Sequence, residues 1–220
     1  MNNNLLLYGS FSRGDYTQDS DVDLLTVIDG YSYKSTYNKI NISYYNKAKL
    51  TEMSTSGALF LFHLNREAKI LIDEGKTLSE IIFEKFSLRN DYNEDIYFAK
   101  ILLMEIYRLY DNTNHYSYAN SKVSWCLRTF YSGLGANNKE SLFSREKIAR
   151  YFGKESEKYL AIKNSETYQK RLVSKIIEHT DNYFNMNEIE IKSFRQDLQN
   201  YKVEVLNGLR KPLNGENVGY

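Results

Sequence analysis

The sequence predicts an α/β domain built on a mixed sheet, followed by an all-α helical bundle. Short apolar or alternating runs typical of strands fall within the first 73 residues, and turn signals separate them. After residue 92 the chain is patterned as helices almost throughout. We therefore predict a first domain over residues 1–88, a helical bundle over 89–212 and a tail over 213–220.

The first domain is predicted to alternate strands and helices. The apolar run Leu5–Tyr8 stops abruptly at a glycine, which indicates a buried strand that enters a turn. Alternating side chains predict two further strands, at Val22–Ile28 and Lys39–Tyr45. The other predicted elements are a strand and three helices: Ala68–Asp73, Lys47–Met53, Leu59–Glu67 and Leu78–Phe86.

The second domain is predicted to contain five helices, with Ser144 capping the third and Pro212 lying past the last. The single cysteine, Cys126, excludes an internal disulfide and is predicted to be a packed helix residue. The predicted helices are Asp91–Tyr110, Tyr118–Leu134, Ser144–Phe152, Lys158–Tyr183 and Asn187–Leu209.

Composition and charge exclude some classes of protein. No stretch approaches the ~20 apolar residues of a membrane span, so we expect a cytoplasmic protein that does not cross a membrane. The formal net charge of +1 argues against strong nonspecific binding of nucleic acid through bulk electrostatics.

A turn rich in glycine and serine follows the first predicted strand. Positions 9–14 read Gly-Ser-Phe-Ser-Arg-Gly. Gly9 lets the backbone approach an anion closely, because a Cβ at this position would collide with it. The Ser10 hydroxyl and the planar donor fork of Arg13 suit phosphate oxygens. The turn therefore predicts a site that holds phosphate.

Two carboxylates follow at the start of the second predicted strand. Asp21 and Asp23 alternate with Val22, so both side chains are expected on one face, roughly 7 Å apart. Carboxylates placed in this way are suited to a pair of divalent cations, and oxygen ligands suit Mg²⁺ or Mn²⁺. The turn and the carboxylates together predict a site for a metal-bound nucleoside triphosphate.

The segment 9–14, followed by Ser20-Asp21-Val-Asp23-Leu24, resembles the signature of the DNA polymerase β-type nucleotidyltransferase superfamily. Within the superfamily, the sequence most resembles the small prokaryotic members, the minimal and aminoglycoside-type nucleotidyltransferases. The aminoglycoside-type members have an α/β domain followed by a helical bundle, which matches the predicted organisation. The resemblance implies that Ser10 contacts the triphosphate and that Asp21 and Asp23 bind the metal ions and are catalytic. We assign Gly9, Ser10, Arg13 and Ser20 to nucleotide binding.

The sequence departs from this family at the third carboxylate. The resemblance implies an Asp or Glu on a neighbouring strand, and the matching position is Asn41, with Ser43 as the other choice. An asparagine carbonyl oxygen can ligate a cation, but the amide cannot take a proton from an attacking hydroxyl at neutral pH. Candidate replacements as the base are Glu52, His63 and Glu67, while Asp15 and Asp19 flank the phosphate turn.

The helical region contributes weaker candidates. Arg128 lies beside Trp125 and Phe130 on a predicted helix, where a charged group needs a partner, so a phosphate or an internal carboxylate would suit it. Arg108 and His115 superficially resemble the Arg-x(4–6)-His signature of a family of helical ribonucleases. We interpret that match as accidental, since such a spacing arises easily by chance.

Two functions follow from these patterns. The first is a metal-dependent nucleotidyltransferase that moves a nucleoside monophosphate from a triphosphate such as ATP to a hydroxyl and releases pyrophosphate. The second is a nucleotide-binding regulator or sensor that has lost efficient chemistry at Asn41. A role in bacterial antiviral defence or a toxin–antitoxin setting rests on family association alone. The acceptor stays open among a small molecule, a nucleotide, RNA and a protein, as does a homodimer or a protein partner.

Overall fold

The structure is a computed structural model that describes residues 3–111, 115–185, 192–193 and 196. The described chain forms two compact units. The first contains the residues up to Tyr92 together with Ala136–Ser144, and the second contains Asn93–Gly135 and the described residues from Arg145 onward. The predicted fold class, an α/β domain with a mixed sheet and then a mostly helical region, is confirmed. The predicted domain boundaries stay a prediction, since the last of them falls outside the described residues.

A five-stranded sheet organises the first unit in the order β3-β4-β2-β1-β5. Strands β2 and β4 are parallel, and every other neighbouring pair is antiparallel. The predicted strands agree with the observed ones within one residue at each end. The observed bounds are β1 Asn4–Tyr8, β2 Val22–Ile28, β3 Tyr33–Tyr37, β4 Ile40–Asn46 and β5 Lys69–Asp73.

Strand β3 is absent from the sequence prediction. All five of its residues are exposed, because it lies at the edge of the sheet and has β4 as its neighbour. A two-residue turn joins the two strands, with Asn38 in the left-handed region at a φ of 53°. The signal in the sequence is this asparagine between two alternating runs, which is typical of a hairpin.

The helices of the first unit pack on one face of the sheet. Inward-facing leucines of the strands, such as Leu6 and Leu25, are fully buried against Leu50, Leu61 and Leu64 of the helices. The five-residue helix α1 was not predicted. The helix predicted at Leu78–Phe86 begins one residue earlier in the structure, at Thr77, and continues as a π-helical turn that ends at Glu84. The observed bounds are α1 Gly9–Arg13, α2 Lys47–Thr55, α3 Leu59–Glu67, α4 Thr77–Ser79 and the π-helical turn Glu80–Glu84.

The second unit is helical in its described part. The prediction of one helix over Lys158–Tyr183 is wrong, because residues 165–169 are not helical and separate two shorter helices. The buried Asn120 amide donates to the carbonyls of Ser165 and Thr167, and these bonds stabilise the non-helical segment. The predicted helix at 187–209 falls largely outside the described residues, as does Pro212. The observed helices are α5 Asn93–Leu109, α6 Tyr116–Asn137, α7 Arg145–Phe152, α8 Lys154–Leu160 with a 3-10 turn to Asn164, and α9 Lys170–Asp181.

Two buried side chains of the second unit are Lys100 on α5 and Cys126 on α6. The Lys100 side chain of α5, only 2 % exposed, forms an ion pair with Asp181 at the end of α9. Cys126 is buried within α6, which confirms its prediction as a packed helix residue. Within the described residues, no helix is both long and apolar enough to cross a membrane.

His179 in α9 predicts a pH-dependent stability of the second unit. Its ring lies among the rings of Tyr131, Tyr159 and Tyr183. Burial lowers the pKa of His179, and the nearby Glu155 carboxylate opposes this shift. The unfolded chain therefore binds a proton more readily, so the free energy of unfolding is expected to fall as the pH drops below about 6.5.

Urea unfolding at pH 7.5 and pH 5.5 measures this effect. Trp125, the only tryptophan of the chain, lies on α6 in the second unit, so its fluorescence reports unfolding of that unit. His179→Phe keeps an aromatic ring without a titratable group, and its loss of stability at pH 5.5 should be smaller than that of the wild type. An equal loss in both proteins would contradict the prediction.

Candidate functional site

The candidate site lies where β2 and β4 begin. The parallel register pairs Asp23 with Asn41, so the two side chains lie side by side on the face of the sheet that carries Leu25. The Asn41 amide nitrogen is 3.1 Å from Asp23 Oδ1. Asn41 therefore lies next to Asp23 on the neighbouring strand, as expected, and its assignment as the third-carboxylate position stays a prediction.

The orientation of the Asn41 amide follows from its two partners. A carboxylate at neutral pH only accepts hydrogen bonds, so the group that faces Asp23 is the amide NH₂. On its other side the Asn41 Oδ1 accepts a hydrogen bond from the Thr36 hydroxyl at 2.9 Å. Thr36 belongs to β3, which explains why sequence reasoning missed it. The Asn41 amide NH₂ therefore donates a hydrogen bond to Asp23, whereas a general base at this position would need to accept the proton of an attacking hydroxyl.

Gly9 lies directly beside Asp23. Its φ of 73° lies in the left-handed region, and a Cβ at this position would stand 2.7 Å from Asp23 Oδ2. The backbone of the predicted phosphate turn therefore runs directly against the carboxylate that is predicted to bind metal. Within the turn, the Ser10 carbonyl accepts the N–H groups of Gly14 and Asp15, which closes α1.

Gly9→Ala and Gly14→Ala form a matched pair that separates backbone strain from the collision with Asp23. Both glycines have positive φ, but a Cβ at Gly14 meets no atom within 4 Å. We expect each substitution to lower the free energy of unfolding by about 1–2 kcal/mol, and only Gly9→Ala to weaken triphosphate binding as well. Urea unfolding and titration calorimetry measure the two effects, and equal binding by the two variants would contradict the steric argument.

Tyr8 adds a hydroxyl to the same end of the sheet. It pairs with Asp23 across β1 and β2, and its hydroxyl is 3.1 Å from Ser43 Oγ on β4. Burial raises the pKa of Tyr8 to about 12; the hydrogen bond with Ser43 opposes the rise, and the Asp23 carboxylate adds to it. Tyr8 is therefore protonated at neutral pH. Sequence reasoning gave Tyr8 no role, because its signal is that of an ordinary strand residue.

The remaining predicted motif residues surround the turn. Asp21 is exposed and lies directly before β2. Ser20 Oγ accepts the N–H of Thr17 at 2.9 Å and so stabilises the loop that leads to Asp21. Asp19 lies 3.9 Å from the Lys39 ammonium group, and both side chains are largely exposed. The roles assigned to these residues in nucleotide and metal binding stay predictions.

Arg13 is held by two carboxylates. Its Nε donates to Asp15, and its Nη1 is 3.1 Å from Glu67 Oε2. Glu67, the last residue of α3, is 5 % exposed in its side chain, and the Nε2 of His63 lies 3.6 Å from the same Oε2. Sequence reasoning weighed Glu67 as a replacement base, whereas the structure places it in an ion pair. Contact of Arg13 with a triphosphate stays a prediction.

Glu52, the other candidate base, lies away from Asp23. Its side chain is 69 % exposed and pairs with Lys49 at 3.1 Å. It lines an open cavity of about 710 Å³ with Asp29 and Asn46, at the opposite end of β2 and β4. Five residues of strand separate the two ends, roughly 16 Å. Among the described residues, no group of three or more His, Cys, Asp or Glu side chains is placed to hold a metal ion.

The candidates in the helical region lie in the second unit. Arg128 is partly buried on α6. Arg108 forms an ion pair with Glu105 at 2.7 Å, one turn earlier on α5. This ion pair gives Arg108 a partner on its own helix, and the view that the ribonuclease-like spacing is accidental stays an interpretation.

The first unit is an α/β domain in which Asp23 and Asn41 lie side by side next to a glycine turn, and comparison with known families indicates its class. Residues 2–101 match the family model described as nucleotidyltransferase domain. This match confirms the resemblance to the DNA polymerase β-type nucleotidyltransferase superfamily that the motif between Gly9 and Leu24 predicts. A comparison with curated proteins gave no match.

Proposed function

We propose that the first unit transfers a nucleoside monophosphate from a nucleoside triphosphate to a hydroxyl acceptor. The acceptor oxygen forms a bond to the α-phosphorus, the bond from that phosphorus to the bridging oxygen breaks, and pyrophosphate leaves. The observation that carries the proposal is the close approach of the Gly9 backbone to Asp23, which sets a phosphate turn against a carboxylate. The match of residues 2–101 to nucleotidyltransferase domains supports the same chemistry.

The residues at this end of the sheet fit a divalent cation of the Mg²⁺ or Mn²⁺ type. Asp21 and Asp23 would supply carboxylate oxygens, and Asn41 Oδ1, which accepts the Thr36 hydroxyl here, would supply a carbonyl oxygen. When bound, such an ion neutralises the triphosphate charge and lowers the pKa of the attacking hydroxyl. Gly9 would let the phosphates approach the backbone, and the Ser10 hydroxyl would donate to them.

A regulator or sensor is the second candidate, and the Asn41 amide is the observation that favours it. The amide donates to Asp23 and cannot accept the proton of an attacking hydroxyl at neutral pH. A protein of this kind would bind a triphosphate at the same residues and release little pyrophosphate. A cytoplasmic location and a role in antiviral defence belong to the proposal in both forms.

Incubation with each of the four ribonucleoside triphosphates, labelled at the α-phosphate, tests the proposal. Each is combined with Mg²⁺ or Mn²⁺ and with RNA, protein, nucleotide or aminoglycoside acceptors, and label transfer and pyrophosphate are measured. Transfer with release of pyrophosphate supports the enzyme. Metal-dependent binding without pyrophosphate supports the sensor. Absence of both binding and transfer would overturn the two candidates together.

A further inference from the structure

Glu67 connects three separate segments of the first unit. Its Oε2 lies 3.1 Å from Arg13 Nη1, and its Oε1 accepts the Ser141 hydroxyl at 2.6 Å. Its backbone carbonyl accepts the Ser12 hydroxyl. The segments are α1, the end of α3 and the stretch Ala136–Ser144, which folds with the first unit although it lies far along the chain.

The contacts are formed in a nearly buried setting. The side chain of Glu67 is 5 % exposed, that of Arg13 is 13 % exposed, and the residue Ser12 is 2 % exposed. Removal of the Glu67 charge would leave Arg13 paired with Asp15, whose side chain is 29 % exposed. Glu67 therefore supplies the more buried of the two carboxylates that hold Arg13 at the end of α1.

The restrained element is the phosphate turn itself. Helix α1 is only five residues long, and it contains both Gly9 and Ser10. Strand β1 fixes the entrance to α1, and the contacts of Ser12 and Arg13 with Glu67 fix its exit. Among the described residues, Arg13 uses its Nε and Nη1 for Asp15 and Glu67. The arrangement of the turn thus depends on a carboxylate 54 residues further along the chain.

We propose that Glu67 is a positioning residue, which fixes the Gly9–Ser10 backbone in the conformation that receives the triphosphate. This inference rests on the proposed function. Glu67 acts through Arg13 and Ser12 and has no contact with the reacting atoms. Ser141 orients the Glu67 carboxylate from the opposite side.

Titration calorimetry with Mg²⁺ and inorganic tripolyphosphate tests the proposal, because this probe needs the phosphate turn but no particular base. Glu67→Gln is expected to weaken binding by roughly tenfold or more, as loss of an orienting partner does at metal sites. Ser141→Ala, which keeps the carboxylate, should have a smaller effect in the same direction. The matched control is Glu80→Gln, since Glu80 forms an ion pair with Lys85 at 2.6 Å on the exposed surface of the same unit.

Hydrogen exchange of the backbone amides separates positioning from general loss of stability. In Glu67→Gln the amides of residues 9–14 should exchange faster, while those of residues 40–46 in β4 keep the wild-type rate. Unchanged affinity in Glu67→Gln overturns the proposal, as does faster exchange in both segments. Tighter binding would also overturn it, because Glu67 would then compete with the phosphates for Arg13. If the wild type binds no Mg²⁺-tripolyphosphate, the phosphate site of the proposed function fails instead.

Discussion

Replacement of both Asp21 and Asp23 by alanine is expected to weaken metal-dependent triphosphate binding on the order of 100-fold and to abolish nucleotidyl transfer. A triphosphate carries several negative charges, and a cation held by these carboxylates supplies several kcal/mol of compensation. Asp23 lies against the Gly9 backbone, so a cation bound there would stand close to the phosphates. Titration of the double variant with ATP in Mg²⁺ and in EDTA measures the effect.

The control removes two negative charges elsewhere on the same unit. Asp29 and Glu84 are both exposed, so the double variant Asp29→Ala plus Glu84→Ala makes the same change in net charge. It should bind like the wild type. Equal weakening in both double variants would show that the net charge of the unit matters, and would remove the two aspartates from the metal site.

Asn41→Asp is expected to raise the rate of nucleotidyl transfer by on the order of 10²–10⁴-fold, which is the usual contribution of a general base. The new carboxylate would stand beside Asp23, in place of an amide nitrogen that is now 3.1 Å from Asp23 Oδ1. Two adjacent carboxylates repel each other without a cation, so the variant should be less stable than the wild type in EDTA and regain stability in Mg²⁺. Pyrophosphate release and thermal unfolding provide the two measurements.

Asn46→Asp provides the matched control on the same strand. Asn46 lies at the far end of β4, where its side chain accepts the N–H of Lys49 and caps α2, and aspartate caps equally well. It should leave transfer unchanged. If Asn41→Asp alters metal affinity but not turnover, the sensor is favoured over the enzyme. If the wild type is already fast and Asn41→Asp is neutral or harmful, another group is the base, and His63→Gln is the first variant to examine.

The sequence predicted the strands of the first unit well, because a buried strand depends on its own pattern. Leu6, Leu25 and Val27 face the core, and their alternation is visible without any partner. The edge strand β3 was not predicted, because all of its residues are exposed and it has no buried face. It forms through its pairing with β4. The non-helical segment after α8 was not predicted either, because the Asn120 side chain that stabilises it belongs to another helix, α6.

At the candidate site, the sequence by itself identified residues that the structure brings together. Gly9 and Asp23 were identified because glycine alone readily adopts a positive φ and a carboxylate can bind a cation. Asn41 was identified because an amide, unlike a carboxylate, also donates hydrogen bonds. Only the tertiary structure decided which groups surround them. Thr36 reaches Asn41 through a strand pairing, and Glu67 reaches Arg13 across 54 residues. Such contacts depend on how distant segments of the chain pack, and the local sequence pattern does not predict that packing.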